Sequence, residues 1–381
     1  MSKKIIADVL LEVADAIETG NFSKKPKIGL TMLGSEHGTE NMLKGAELAK
    51  SPQYDIVLIG PKSDSGFETV EISDEEQMYS KMEELLDSGY IDACVTMHYN
   101  FPIGVSTVGR VVTPGFGKEM ILATTTGTSA TDRVEAMIKN TISGIATAKS
   151  IGIENPKVGL LNLEGIRQVE KALVELKNSG YEFEFGNSLR ADGGAVMRGN
   201  DLLTGTPDVM VTDTLTGNLL MKVFSSFNTG GSYEATGYGY GPGVGRDYGR
   251  KILIVSRASG APVIANAIRY GADIVNGNIT EKTNAEFEKA EKAGLGKIIE
   301  GLSMKKSSSS DGEVICPQKE IVTNQISGID ILDLEDAAKA LWKEKIYAET
   351  GMGCTGPIIL VSESNFETAF KILVKEGYVT E

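Results

Sequence analysis

Cysteine and histidine are scarce in this chain of 381 residues, which has three of the first and two of the second. Three scattered cysteines make neither a disulfide framework nor the paired spacing of a zinc site, so we expect a reducing compartment and no metal. The sequence also lacks a basic block that could follow a phosphodiester backbone, and its formal net charge is −14. Nucleic acid is therefore not an expected partner.

Long hydrophobic runs are absent as well. No window approaches the roughly 18 to 20 apolar residues that a membrane span needs. Near the N-terminus, apolar residues at helical spacing are interrupted by Asp8, Glu12, Asp15 and Glu18. A signal peptide needs an unbroken apolar stretch, so this segment predicts an amphipathic helix. We expect no membrane partner and a cytoplasmic location.

A serine-rich tract divides the chain. Residues 305–312 contain side chains that bury too little surface to offset their ordering entropy. The tract predicts a linker at 306–312 between a body at 1–305 and a C-terminal module at 313–381. A looser boundary near 125–155 divides the body into two subdomains.

Short β-branched runs alternate with helical patterns, which is typical of βαβ units and of a mainly parallel sheet. The predicted strands are 27–33, 55–60, 91–97, 119–124, 157–163, 181–185, 208–212, 251–255, 273–275 and 357–361. The predicted helices are 40–50, 74–87, 132–150, 166–178, 217–225, 262–270, 284–301, 334–345 and 366–376. Asp74, Asp132 and Asn284 are expected to cap the helices that they precede or open.

Four loops at predicted strand ends, 34–39, 124–131, 212–218 and 256–260, are rich in glycine, serine and threonine. In a parallel sheet such loops lie at helix N-termini, where free amides and the helix dipole favour anions. Turn formation is the alternative for any single loop, but four together favour a phosphate-type ligand. The predicted binding residues are Gly34, Ser35, Thr125, Thr126, Gly127, Thr216, Gly217, Asn218 and Ser259.

Ser256 and Arg257 follow the apolar strand 252–255 and form the strongest of these loops. A guanidinium at a strand end can hold phosphate through two parallel hydrogen bonds, and a serine hydroxyl can hold an acyl oxygen or a third phosphate oxygen. A surface salt bridge is the alternative. Ser256 and Arg257 are therefore candidate catalytic residues.

His37, His98 and Asp213 also lie at predicted strand ends. The two histidines are candidates for acid–base work or for pairing with a thiolate, with a purely structural role as the alternative. Asp213 can orient a base or position a phosphate hydroxyl, and it can equally cap the helix that follows.

Cys354 lies in the segment Gly-Met-Gly-Cys-Thr-Gly-Pro. Its neighbours Gly353, Thr355 and Gly356 form a candidate acyl pocket, since glycines leave room for an acyl group and backbone amides can hold a thioester oxygen. A cysteine of ordinary pKa, about 8.5, is mostly protonated at pH 7, so an acyl carrier needs a nearby cation. Cys354 is therefore a candidate acyl carrier, and a tight structural turn is the alternative.

No cation lies close to Cys354 in the sequence, so Arg257, Lys222 or a histidine would have to approach it in the fold. Cys94 lies in a strand pattern and is expected to be buried, and Cys316 is expected to be structural. The glycine- and tyrosine-rich segment 239–249 predicts a mobile lid or a partner-contact loop, with disorder as the alternative.

Three segments resemble known families. Residues 157–162 and 208–222 resemble the fatty acid/phospholipid synthesis phosphate acyltransferases, and residues 256–259 resemble the Ser-Arg loop of phosphate acetyltransferases. The resemblance implies a three-layer α/β/α fold, related to isocitrate dehydrogenases, with acyl-phosphate chemistry in a central cleft. Across essentially the whole chain, the body and the module with Cys354 resemble the alpha-subunit family of component C of glycine/sarcosine/betaine reductase complexes.

This wider resemblance implies an acetyl-transfer subunit. Acetyl would come from a carboxymethylated selenoprotein A, rest on Cys354 as a thioester and pass to phosphate as acetyl phosphate. A beta subunit that resembles a ketoacyl synthase would be the partner. Direct acyl-thioester:phosphate transfer and a non-catalytic scaffold for the beta subunit are the alternatives. Hydride transfer is disfavoured, because the sequence lacks a dinucleotide fingerprint, and no cofactor is expected.

Overall fold

A computed structural model describes residues 25–191, 193–308, 314, 316–331, 333–353 and 356–379. The described residues form a twelve-stranded mixed sheet with helices on both faces, and a separate three-stranded sheet near the C-terminus. The amphipathic helix predicted near the N-terminus lies outside the described residues. No helix in the described part of the chain is long and apolar enough to span a membrane.

The strands of the main sheet are β1 (Lys27–Thr31), β2 (Asp55–Gly60), β3 (Glu68–Glu71), β4 (Ala93–Thr96), β5 (Val105–Val112), β6 (Glu119–Thr128), β7 (Lys157–Leu161), β8 (Glu184–Phe185), β9 (Val196–Met197), β10 (Val209–Val211), β11 (Gly241–Val244) and β12 (Ile252–Ile254). The small sheet consists of β13 (Asn324–Ser327), β14 (Ala348–Gly353) and β15 (Gly356–Val361).

The helices are α1 (Gly38–Ala49), α2 (Glu75–Asp87), α3 (Arg133–Ser150), α4 (Ile166–Asn178), α5 (Gly199–Thr204), α6 (Thr214–Ser226), α7 (Ala261–Asn276), α8 (Ile279–Lys292), α9 (Leu295–Ser308), α10 (Leu334–Lys343) and α11 (Phe366–Lys375). Short 3-10 turns span Phe227–Thr229 and Glu363–Asn365.

The main sheet contains two parallel groups that run in opposite directions. β3, β2, β1, β4 and β12 are parallel neighbours, and so are β6, β10, β7 and β8, with β9 also parallel to β7. Between the groups, the pairs β12–β11, β11–β5 and β5–β6 are all antiparallel. Three reversals therefore place the carboxyl ends of β12 and β10 at opposite edges of the sheet.

Successive side chains of a strand point to opposite faces, so each strand contributes side chains to the cores on both faces of the sheet. Ile28 and Leu30 pack in a core with α1 and α7, whereas Val57 and Ile59 pack in the core that includes α2 and α6. Helices α3 and α4 cover the β6–β10–β7 half through a third core. This arrangement confirms the predicted α/β fold with three layers and a mostly parallel sheet.

Helix boundaries follow local capping chemistry in two of the three predicted cases. The carboxylate of Asp74 accepts a hydrogen bond from the Gln77 amide, and that of Asp132 accepts one from the Glu135 amide. Both caps are confirmed. Asn284 instead lies inside α8, where its side chain accepts from the Asp247 amide, so its predicted capping role is wrong.

Two other predictions near this region are wrong. The predicted strand 273–275 belongs to α7, whose apolar residues continue at helical spacing to Ile274. The predicted single helix 284–301 is two helices, because Gly294 has a φ of 96° and ends the first of them. Helix α9 then continues to Ser308, so residues 306–308 of the predicted linker are helical.

The glycine-rich segment 239–249 is not a lid, because it contributes the buried central strand β11. Gly241 has a φ of 87°, and a Cβ there would lie 1.8 Å from the Val108 carbonyl oxygen. A Cβ on Gly243 would lie 2.3 Å from the Phe101 ring. The glycines therefore allow neighbouring backbone and side chains to approach closely, which composition alone does not distinguish from a flexible loop.

Strands β13 to β15 and helices α10 and α11 form what we call the C-terminal unit. This unit packs its own core, in which Ile326, Leu341 and Ile359 are buried between the small sheet and the two helices. One contact with the body is made by Asp330, which is 4% exposed. Its carboxylate oxygens accept from the amides of Gly165 and Arg167 at the N-terminus of α4, each at 3.2 Å. The proposed division of the chain into body and module stays a prediction.

We predict that Gly217→Ala strongly destabilises the protein. A Cβ at Gly217 would lie 1.6 Å from the Thr124 carbonyl oxygen, so α6 would have to leave β6. We expect a loss of about 3 kcal/mol or more in the free energy of unfolding, measured by chemical denaturation. Gly301→Ala is the matched control: a Cβ there meets no neighbouring atom of the described residues within 4 Å, and alanine favours the helix by about 0.5 to 1 kcal/mol. Equal effects of the two substitutions would contradict this account.

We also predict that Asp330→Ala loosens the C-terminal unit from α4. The substitution removes two charge-assisted hydrogen bonds, each worth about 1.5 to 3 kcal/mol. Hydrogen exchange of the Gly165 and Arg167 amides should accelerate by at least about tenfold. Glu335→Ala, at an exposed position of α10, should leave both amides protected. Unchanged exchange in the Asp330 variant would show that other contacts hold the unit.

Candidate functional site

Three adjacent parallel strands, β1, β4 and β12, deliver polar loops to one edge of the sheet. Loop 34–39 follows β1, His98 follows β4 and loop 256–260 follows β12. Lys222 of α6 and Glu234 reach the same place. We call this set of residues the serine–arginine edge.

The two loops of the serine–arginine edge are joined directly. The His37 ring nitrogen Nε2 lies 3.3 Å from the Ala258 carbonyl oxygen, and the Asn41 side-chain amide donates to the Ser259 carbonyl at 3.0 Å. Gly34 begins the first loop with a φ of 96°, a conformation that favours glycine. The sequence-predicted residues His37, Ser256, Arg257 and Ser259 are thus brought together, with His98 exposed at the end of the strand between them.

A buried carboxylate organises the second loop. Glu234 is 2% exposed, and its two oxygens bind different partners: Oε1 pairs with Lys222 Nζ at 3.1 Å, and Oε2 accepts from the Ser259 hydroxyl at 2.7 Å. Ser259 Oγ in turn accepts from the Ser256 amide at 3.0 Å. This network fixes the backbone of the loop and the position of the lysine.

Ser256 is oriented as a hydrogen-bond donor. Its Oγ accepts from Lys222 Nζ at 3.0 Å and from the Ala258 amide at 3.2 Å, so both acceptor positions are filled and its own proton remains to be donated. Arg257 is exposed, and its guanidinium lies 3.9 Å from the Glu75 carboxylate. The edge therefore presents a hydroxyl donor in contact with one cation, Lys222, and next in sequence to a second, Arg257, which suits an anion such as phosphate.

Glu234 was not among the predicted site residues, and Lys222 was named only as a cation that could approach Cys354. Lys222 lies in the segment that resembles the phosphate acyltransferases, and a basic residue there is a usable signal. Glu234 follows a run of glycine, serine and tyrosine and has no motif around it. Only the folded chain shows that its carboxylate is buried beside Ser259.

The other two predicted loops lie at the opposite edge, around the start of α6. Strand β6 continues to Thr128, so the loop predicted to start at residue 124 is wrong for its first five positions. The buried Thr125 hydroxyl donates to the Tyr240 carbonyl at 2.6 Å, and the Asn218 side-chain amide donates to the Thr125 carbonyl at 3.1 Å. Gly127 accepts from the Thr214 hydroxyl at 2.9 Å.

The contacts of Asn218 and Thr214 hold α6 against β6. The Thr125 hydroxyl and the Asn218 side-chain amide are therefore already paired within the protein. Thr126 is partly buried, and its carbonyl accepts from the Thr107 hydroxyl at 3.3 Å. Gly217 is packed against the Thr124 carbonyl. The structure thus separates the predicted phosphate-binding residues into two groups at opposite edges, and only Gly34, Ser35 and Ser259 lie beside Ser256.

Asp213 caps α6. Its carboxylate accepts from the Thr216 amide at 2.8 Å and from the Thr216 hydroxyl at 3.2 Å, and it pairs with Arg133 at 2.5 Å. Burial by itself would raise the pKa of Asp213, but the Thr216 amide and Arg133 outweigh burial and hold that pKa below its usual range. Asp213 precedes the first turn of α6, whereas Lys222 lies in its third turn. The position of Asp213 corresponds to the alternative in which it caps the helix.

Cys354 and Thr355 lie outside the described residues. On either side of them, Gly353 ends strand β14 and Gly356 begins the antiparallel strand β15, and the two residues pair with each other. The contact of this C-terminal unit with Gly165 follows β7, which is parallel to β10, so it lies at the edge away from Ser256. Where the Cys354 thiol lies relative to the serine–arginine edge stays a prediction.

The two remaining cysteines differ in exposure. Cys94 is fully buried, as predicted, and burial raises the pKa of its thiol. Cys316 is exposed. Over the described ranges, no group of three or more histidine, cysteine, aspartate or glutamate side chains is placed to hold a metal ion.

An α/β/α fold with a serine, an arginine and a lysine around one strand edge defines a class of proteins suited to binding anions there. Comparison with protein families then identifies the chain as a member of the fatty acid synthesis protein family, whose model matches residues 26–360. The chain therefore belongs to this family.

Individual relatives extend the comparison. The chain is 63% identical over 380 residues, 99% of each protein, to the glycine/sarcosine/betaine reductase complex component C subunit alpha of Peptoclostridium acidaminophilum. It is 31% identical over 235 residues, 52% of this chain and 68% of the relative, to a phosphate acyltransferase of Thermotoga petrophila. A branched-chain phosphotransacylase structure from Enterococcus faecalis aligns with 66% of this chain and 99% of its own, at 18% identity and a TM-score of 0.49.

We predict that the contribution of the Asp213 carboxylate to the free energy of unfolding depends on pH. Because the folded-state pKa is lowered, the carboxylate stabilises the protein above its unfolded-state pKa of about 3.9, and this contribution is lost as the pH falls through the lower folded-state value. Asp213→Asn should therefore destabilise the protein at neutral pH, and the difference from wild type should shrink at acidic pH. Denaturation midpoints measured across this range test the trend. Asp64→Asn, at an exposed position, is the control.

Proposed function

We propose that the chain is an acyltransferase subunit that transfers an acyl group to phosphate at the serine–arginine edge. The observation that carries this proposal is the placement of the Ser256 hydroxyl beside Lys222, with Arg257 exposed next to it. The 63% identity to a reductase component C alpha subunit and the relatives that are phosphate acyltransferases support it.

The geometry suggests a role for each group at this edge. Arg257 and Lys222 neutralise the phosphate and reduce the cost of bringing it to an acyl donor. The Ser256 proton donates to a phosphate or acyl oxygen. A phosphate oxygen attacks the thioester carbonyl carbon, the new C–O bond replaces the C–S bond, and the phosphate proton goes to the departing thiolate. His37 and His98 lie at the same edge and are the proposed carriers of that proton.

In its more specific form, the proposal makes acetyl the acyl group and acetyl phosphate the product. Acetyl derives from a carboxymethyl group on the selenium of a selenoprotein A. The C–Se bond is replaced by a C–H bond, the selenium and a thiol supply the two electrons as they form a Se–S bond, and the carboxyl oxygen leaves as water when the thioester forms. A beta subunit of component C is the partner. Cys354 holds the acetyl group as a thioester, which divides one difficult transfer into two easier ones. The near-complete match to a component C alpha subunit is what supports this assignment.

A second candidate is direct transfer from an external acyl thioester to phosphate, without Cys354 as a carrier. One observation favours it: the contact of the C-terminal unit with α4 lies at the sheet edge away from Ser256. A Cys354 carrier requires that the C-terminal unit presents the acetyl group at Ser256, whereas an external thioester requires nothing of that unit.

The test measures acyl phosphate by hydroxylamine trapping in the complete complex. Arg257→Gln should lower its formation by at least about 100-fold, in line with the loss of a group that stabilises developing charge. Ser256→Ala should also lower it, because the donated hydrogen bond is lost. Ser232→Ala, in a neighbouring exposed loop, is the matched control and should behave as wild type. Normal activity in the Arg257 and Ser256 variants would refute the proposed site.

The role of Cys354 is tested separately with a radiolabelled acetyl donor. A carrier predicts thiol-linked label on the wild-type chain, none on Cys354→Ala, and loss of acetyl phosphate formation in that variant. Direct transfer predicts that Cys354→Ala retains activity. A non-catalytic scaffold predicts neither label nor any effect of the Arg257 substitution.

A further inference from the structure

A cavity of about 540 Å³ lies at the edge of the sheet opposite to Ser256. Of the residues that line it, Ile91 and Asp92 precede β4, and Arg250 and Lys251 precede β12. Lys251 and Ser256 are separated by the length of β12, roughly 16 Å at about 3.3 Å per residue. The cavity has the size of a small-molecule site. We call it the back cavity.

One wall of the back cavity is aromatic and already held in place. Tyr99 and Tyr248 line it. Phe101 contacts both of them edge to face, with ring centroids 5.0 Å from Tyr99 and 6.0 Å from Tyr248. Arg250 donates to the Tyr99 hydroxyl at 3.1 Å. The rest of the apolar lining consists of Leu86, Ile91 and Pro102. A wall that is ordered before a ligand arrives favours the binding of an apolar group.

The charges of Arg250 and Asp87 at this cavity are satisfied within the protein. Arg250 donates to the two carboxylate oxygens of Asp87 at 2.8 Å each and pairs with Glu83 at 3.0 Å. A guanidinium held in such a fork has its donors filled. These two lining residues therefore position the wall and leave little charge for a ligand.

Lys251 and Asp92 differ from that pair, because neither meets an opposite charge in the part of the chain that the structure describes. Half-buried Lys251 forms no side-chain hydrogen bond or ion pair there. Asp92 accepts from the Lys27 amide at 2.8 Å through Oδ2, which leaves Oδ1 to accept from a ligand. The two residues precede the neighbouring parallel strands β12 and β4, so one positive and one negative group line the same cavity.

Two buried hydroxyls, those of Tyr248 and Thr283, have no hydrogen-bond partner of good geometry among the described residues. Such groups are uncommon in folded proteins. Both line a smaller cavity of about 10 Å³, which shares Tyr248, Arg250 and Lys251 with the back cavity, and Thr283 is only 2% exposed. Burial and the neighbouring Tyr99 raise the pKa of Tyr248, so its hydroxyl keeps its proton. The side of the back cavity next to Lys251 therefore offers donors that suit a carboxylate.

We propose that the back cavity binds an α-amino acid with a large apolar side chain. Its carboxylate lies at Lys251 and accepts from the Tyr248 hydroxyl, its ammonium group lies at Asp92, and its side chain packs against the aromatic wall. The four charged lining residues, two of each sign, sum to zero. A zwitterion preserves that balance, whereas a phosphate dianion adds negative charge beside Asp87 and Asp92.

This site does not depend on the proposed acyl transfer. An amino acid in the back cavity and a phosphate at Arg257 occupy opposite ends of β12. Both sites can therefore be filled at once, and Arg257→Gln should leave amino-acid binding unchanged. Either proposal can fail without the other.

The experiment titrates the purified full-length chain with L-phenylalanine by isothermal titration calorimetry. We expect saturable binding with a Kd of about 1 mM or tighter. 3-Phenylpropionate lacks the ammonium group and phenethylamine lacks the carboxylate, so each leaves one charge unpaired and should bind at least about tenfold more weakly. Glycine should also bind at least about tenfold more weakly, because it covers none of the aromatic wall.

Substitutions locate the binding site. Lys251→Met and Asp92→Asn should each weaken L-phenylalanine binding at least about tenfold, because each removes one of the two charges. Asparagine keeps an oxygen for the Lys27 amide, so the local backbone contact is retained. Lys297→Met, at an exposed position of α9, is the matched control and should bind as wild type does. Circular dichroism of each variant confirms that it remains folded.

Three results would overturn the proposal. A chain that shows no saturable binding of L-phenylalanine has no such site. Equal binding of 3-phenylpropionate would remove the role of Asp92 and show that the cavity takes a simple carboxylate. Unchanged binding in a folded Lys251→Met variant would place the amino acid elsewhere.

Discussion

Helix α6 lies so close to β6 that a single Cβ at Gly217 would overlap the Thr124 carbonyl oxygen. The rest of the molecule depends on this contact, because three of its features lie on α6. Its first turn is capped by Asp213, its third turn places Lys222 beside Ser256, and its outer face carries the exposed Leu215, Leu219 and Val223. Moving the helix outward would disturb all three at once.

Because the two parallel groups of strands run in opposite directions, loops of similar composition lie at opposite edges of the sheet and make different contacts. Threonine-rich and serine-rich loops both follow strands and look alike in composition. At one edge, Thr125 and Asn218 bind backbone groups and hold α6 in place. At the other edge, Glu234 binds Ser259 and Lys222, Lys222 also donates to the half-buried Ser256 hydroxyl, and Arg257 is exposed. The hydrogen-bond partners, and not the residue types, decide which loop can bind a ligand.

The C-terminal unit contains a second buried carboxylate with a structural role, that of Asp330. Asp330 occupies the N-terminus of α4, a position whose free amides and dipole would otherwise attract an anion. The unit that carries Cys354 is thereby attached to the body at the edge away from Ser256.

Local patterns in the sequence were sufficient for the α/β class, for strand 55–60, for helix 166–178 and for the caps at Asp74 and Asp132, since each depends on neighbours within one or two turns. They were not sufficient for strand order, because pairing joins residues far apart in the chain, and composition made β11 look like a loop. The sequence predicted the serine–arginine loop as a site, which stays a prediction, and it gave no sign of the buried Glu234 beside that loop. Only the tertiary structure decided which loops share an edge, because antiparallel pairs at the centre of the sheet reverse one half relative to the other.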